Sequence, residues 1–150
     1  MLVPLMGLLA SCQDVVPYPS QNPSDSLSVR EYPHAFFIVE GTLTDSLSQE
    51  PIPNYPIKLH SEPPVVTNEQ GFFRAQTVAF PISQEFRLIL NPPGEGHLPM
   101  YPTQTHYVSF FFPTFQLTKE DVIHNGPKFF GRTFMTLAYT LLPNQAQEDE

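Results

Sequence analysis

Phe37, Val39, Gly41 and Leu43 alternate with Glu40, Thr42 and Thr44, which is the two-residue period of a strand with one face buried. The same period returns at Tyr55, Ile57 and Leu59, which alternate with Lys58 and His60. It returns again at Phe86, Leu88 and Leu90 around Arg87 and Ile89, and over residues 130–142. Val65 to Thr67 is short and β-branched, Phe73 and Ala75 share one face after the Asn68-Glu69-Gln70-Gly71 turn, and residues 107–112 form an apolar strand. Residues 117–123 predict one helical turn, with Thr118 as cap and Glu120 and Asp121 in the first turn. About seven short strands separated by turn signals predict an all-β fold, an antiparallel β-sandwich over residues 34–143. Its core should include Val39, Leu43, Ile57, Leu59, Phe73, Leu88 and Leu90.

Composition narrows this further. Eighteen prolines fall every few residues through most of the chain. Since a proline inside a helix costs about 3 kcal/mol, a helical bundle is excluded. The 150 residues support one domain and one core. One cysteine rules out an intrachain disulfide, so stability must come from packing, and 13 phenylalanines are ample for that. The net charge of −8 gives no long-range attraction to nucleic acid or anionic lipid.

The N-terminus breaks the strand pattern. Residues 2–10 are uncharged and mostly apolar, and Leu9-Ala10-Ser11 lead directly into Cys12. That run is far shorter than the roughly 20 residues needed to span a bilayer, but it has the length of a signal-peptide core. No Lys or Arg precedes it. The series looks like a bacterial lipoprotein signal with its lipobox. The resemblance implies removal of residues 1–11, lipid on Cys12 and attachment to the outer membrane of a cell envelope. The alternative is a buried N-terminal strand with a core cysteine. Residues 12–33, with four prolines among Ser, Asn and Asp, read as a tether, although residues 26–33 could equally pack on the domain. Residues 144–150 form an acidic tail.

A longer series carries a family resemblance. Gly41-Thr42-Leu43-Thr44-Asp45, Pro51-Ile52-Pro53-Asn54, Ile57-Lys58-Leu59 and Thr67-Asn68-Glu69-Gln70-Gly71-Phe72-Phe73 together resemble the carboxypeptidase regulatory-like domain, a transthyretin-like β-sandwich. Leu117-Thr118-Lys119-Glu120-Asp121 and Lys128-Phe129-Phe130-Gly131 look like small lipoproteins of Gram-negative anaerobes encoded near radical SAM proteins. The first resemblance implies a fold, and the second implies a location and, as an alternative role, an accessory or substrate of a radical SAM modifying enzyme. Sandwiches of this type in adhesins sometimes form a Lys–Asn crosslink. Lys58 and Asn144 are the only tempting pair, and strand parity turns Lys58 outward.

No constellation of reactive residues stands out. The five histidines are scattered singly, without metal-ligand spacing. There is no Gly-x-Ser-x-Gly elbow, and the turn carboxylates Asp45, Glu50 and Glu69 are too few for calcium. The expectation is a non-catalytic envelope module without cofactor or metal, with a protein or glycan partner. Residues 91–105, a long loop, offer Tyr101 as a binding anchor. The run Phe110-Phe111-Phe112 offers an exposed member, taken as Phe111, because alternation puts at most two of the three on one face.

Overall fold

The structure, a computed structural model, describes residues 31–145. The proposed signal segment, Cys12 and most of the tether lie outside the described residues. Seven strands and one short helix follow in the order β1 (His34–Asp45), β2 (Pro56–Leu59), β3 (Val65–Val66), β4 (Phe72–Ala79), β5 (Gln84–Leu90), β6 (Gln104–Phe110), α1 (Lys119–Asn125) and β7 (Phe129–Leu141). They form two sheets, β4-β1-β7 and β3-β2-β5-β6, so the all-β sandwich is as expected.

One pairing differs. β1 runs antiparallel to β4 but parallel to β7, from His34 opposite Phe129 to Asp45 opposite Leu141, with a one-residue register shift between His34 and Phe36. Strand alternation carries no information about direction, which is set by the connections. The end of β4 and the start of β5 are joined by residues 80–83 beside the start of β1, because Ala35 lies opposite Ala79. β6 returns to that same end, where Phe110 lies opposite Gln84. Residues 111–128, including α1, then deliver the chain to the start of β7. β7 therefore begins where β1 begins and must run alongside it.

The inward faces of both sheets meet in one core, which contains all seven expected residues. Phe37 is fully buried and takes edge-on contacts from Phe86 and Phe110 at 5.1 Å and from Phe115 at 5.7 Å. The outer face of β4-β1-β7 is partly apolar too. Ile38 there is fully buried between its register neighbours Gln76 and Phe134. The Arg74 guanidinium lies 5.6 Å from the Phe134 ring and pairs with Glu40 at 3.0 Å. Charged heads and apolar stems thus share that surface.

Local chemistry closes the turns. Thr118 caps α1 through a reciprocal box: its hydroxyl accepts from the Asp121 N–H, and the Asp121 carboxylate accepts from the Thr118 N–H, both at 3.1 Å. The second Asp121 oxygen meets Arg132 of β7 at 2.5 Å, tying the helix to the sheet. Burial alone would raise the Asp121 carboxyl, yet the Thr118 bonds and the Arg132 charge hold it below the ordinary value of 3.8. Thr67 joins the loop before β2 to the segment after β3. Its hydroxyl accepts from the Tyr55 N–H at 2.9 Å and donates to the Ile52 carbonyl at 2.6 Å.

Three glycines are fixed by space: Gly41, Gly71 and Gly131. Gly71 has φ +70° and lies against the Leu43 carbonyl. A Cβ on Gly41 would stand 2.6 Å from the Leu137 carbonyl and 2.7 Å from the Phe73 ring. Gly41→Ala should therefore force β1 away from β7 or displace Phe73, lowering stability by about 1–3 kcal/mol. Urea unfolding of the two proteins checks this, and an unchanged midpoint would contradict the close approach.

Candidate functional site

The long loop after β5 is built around a side chain rather than open to a partner. Asn91 follows Leu90 at φ +55° and is fully buried. Its amide N–H₂ donates to the carbonyls of Leu98 and Tyr101, both at 2.8 Å, and its side-chain oxygen accepts from the Leu98 N–H at 2.8 Å. Its own carbonyl accepts from the Thr103 hydroxyl at 2.7 Å. Asn144 holds the loop from outside, donating to the Met100 and Pro99 carbonyls.

This corrects the expectation for Tyr101. Its side chain is not an exposed anchor but a buried strut, only 5% exposed. The phenol packs edge-on against Tyr55 at 5.6 Å and donates to the Asp45 carboxylate at 2.5 Å. Asp45 ends β1 and also accepts from the Leu47 and Ser48 N–H groups, at 2.8 and 3.0 Å. One carboxylate thereby closes the 46–49 turn and clamps the long loop. The Tyr101 bond, then the Ser48 backbone bond, lower the Asp45 pKa. Burial, then the Asp45 bond and charge, push Tyr101 up to about 12. Asn144 is thus engaged by this loop, which agrees with the strand-parity argument against a Lys58–Asn144 crosslink.

The aromatic run behaves differently. Phe110 is in the core, whereas Phe111 is 77% exposed and Phe112 is 91% exposed. Phe111 stands outward as the parity argument requires. Phe112 does so because the backbone turns left-handed there, at φ +43°. The other non-glycine residues at positive φ among the described residues are Gln49, Asn54, His60 and Asn91. Polar side chains of the Asn kind tolerate that region, while a bulky apolar one stores about 1–3 kcal/mol there. The Ser83 hydroxyl holds the strained turn by accepting from the Phe112 N–H at 2.8 Å. Pro81, Ile82, Ser83, Phe112 and Pro113 line an open groove. Ile82 is 62% exposed. The arrangement offers apolar contact and no reactive group.

This surface was only half legible. Alternation could place Phe111 outward, but no sequence signal put Phe112 beside Ser83, which is 29 positions away. Among the described residues there is no group of three His, Cys, Asp or Glu able to hold a metal ion. None of the described helices is long and apolar enough to cross a membrane.

No family model matches the chain, and no curated protein matches it. Among solved structures it is similar to a membrane-associated protein of unknown function from Bacteroides fragilis. That match has 12% identity and a TM-score of 0.41, and covers 75% of this chain and 30% of the other. It is also similar to an (S)-allantoin synthase, at 11% identity and a TM-score of 0.37, over 76% of this chain and 46% of the other. The chain thus spans less than half the length of either.

The Asp45–Tyr101 pair has a defined pH signature. Asp45 is lowered in the fold, so its contribution is full above the ordinary value of 3.8 and is lost as pH falls through the folded value. Tyr101 is raised, so its contribution is full below 10.0 and is lost as pH climbs through about 12. Tyr101→Phe should lower the melting midpoint by several degrees near neutral pH. The two melting curves should converge below pH 3.8 and above pH 10. A gap that stays constant below pH 3.8 and above pH 10, read by circular dichroism, would remove the clamp.

Proposed function

We propose that this chain is an envelope lipoprotein of the outer membrane, lipid-anchored through Cys12, whose transthyretin-like sandwich is a non-catalytic binding module. The observation that carries the binding role is the apolar edge formed by Ile82, Phe111 and Phe112. Exposing those side chains and straining Phe112 are both unfavourable for an isolated domain. Features of that kind persist where a contact surface uses them. Support for the family reading comes from the motif residues themselves. Gly41 faces the Phe73 ring and Gly71 lies under the Leu43 carbonyl, so the series Gly41, Leu43, Gly71 and Phe73 is one packing unit. Support for the anchor is the lipobox-like Leu9-Ala10-Ser11-Cys12, since two or more acyl chains give stable attachment at about 0.8 kcal/mol per buried methylene.

The anchor is tested by growing cells with radiolabelled palmitate. Label should enter the full chain and the protein should sediment with membranes. Cys12→Ala should abolish labelling and release the protein to the soluble fraction. Equal labelling and sedimentation of the variant would overturn the lipoprotein reading.

A further inference from the structure

We propose that the Ile82–Phe111–Phe112 end of the sandwich seats in the interfacial zone of the same bilayer that holds the lipid on Cys12. The proposal rests on the lipid-anchor reading and names what the apolar edge touches. Its first support is topological. The described chain starts at Glu31 and enters β1 at His34, and Ala35 lies opposite Ala79. Residues 80–83 and 111–113 therefore occupy the end of the sandwich where the chain arrives from Cys12. Eighteen residues, 13–30, separate Cys12 from Glu31. Even fully extended they reach at most about 65 Å, so the domain as a whole is held near the headgroups, with this end as the one the tether joins. Tethering of that kind supplies an effective concentration on the order of millimolar, which raises the occupancy of a contact that is weak but measurable from solution.

The second support is what that end presents. Besides Ile82, Phe111 and Phe112, Leu117 and Ile123 are exposed on the segment leading to β7. Phenylalanine and leucine are side chains that sink a few ångströms into the acyl boundary of an interface. Insertion also requires that the inserted backbone be satisfied, and the Phe112 N–H already donates to Ser83. The attraction is apolar rather than coulombic, because a chain of net charge −8 is not drawn to anionic lipid. The opposite end carries its own exposed aliphatics, Leu47, Met100 and Leu142, but the chain does not enter there, so it serves as the internal control.

The chain contains no tryptophan, so a single introduced indole reports its own surroundings. Full-length Phe112→Trp and Leu47→Trp are mixed with vesicles of phosphatidylethanolamine and phosphatidylglycerol, 3:1, with and without brominated acyl chains. Phe112→Trp should blue-shift and be quenched by the brominated lipid, and Leu47→Trp should do neither. Adding Ile82→Ser and Phe111→Ser to Phe112→Trp should lower the vesicle-bound fraction of the unlipidated Cys12→Ala chain at least about tenfold, a difference of about 1.4 kcal/mol. Replacing phosphatidylglycerol by phosphatidylcholine should leave the shift unchanged. The proposal is overturned if Phe112→Trp does not respond to vesicles, or if Leu47→Trp responds equally. It is also overturned if the Phe112→Trp shift grows with protein concentration in the absence of lipid, which would make a second copy the occupant. Palmitate labelling is a separate readout: labelled protein without insertion overturns this proposal alone, and insertion without label overturns the anchor alone.

Discussion

Phe37 is the side chain on which both sheets converge. It projects from the central strand of one sheet and receives Phe86 and Phe110 from the other, with Phe115 from the connection to α1. Edge-to-face pairs of this kind contribute about 0.5–1.5 kcal/mol each beyond the area they bury. With one cysteine and no disulfide, such packing has to hold the two layers together. It also fixes the outer surface. Because Phe110 is drawn inward to Phe37, its neighbour Phe111 must stand outward, and the chain has to turn sharply at Phe112 to leave the strand. The aromatic edge is thus the outside of the same cluster that forms the core.

The opposite end is closed by polar groups instead. Asn91 and Asp45 between them satisfy six backbone or side-chain partners in the loop and turn around them. Buried groups of this kind are costly when half paired and ordering when fully paired. The two ends of the sandwich differ in chemistry for this reason. One is a polar lock with its aromatic side chains turned in, and the other leaves its aromatic side chains in the open.

The strands, the core residues and the Thr118 cap were readable because each depends on near neighbours: a period of two, or a spacing of three. The burial of Tyr101 is not legible in the sequence, because a long proline-rich loop implies exposure. That burial depends on Asp45, 56 positions earlier, and on the side chain of Asn91, which the sequence shows only as one more turn residue. The direction of β7 escaped for a similar reason, since nothing in Phe129–Leu141 encodes which way its partner runs. Phe112 is legible as apolar but not as strained, because the left-handed turn is held by a hydrogen bond to Ser83 across the groove.

The parallel pairing of β1 and β7 has a mechanical side. The chain enters β1 at one end of the domain and leaves β7 at the other, a separation on the order of 40 Å for strands of 12 and 13 residues. A pull between those two points acts along the strands and loads their shared ladder in shear. The bonds from His34–Phe129 to Asp45–Leu141 would have to fail together rather than unzip one after another. The sandwich is therefore built to resist tension along its long axis, and to yield far more easily if β4, the outer antiparallel neighbour, is peeled away from the side.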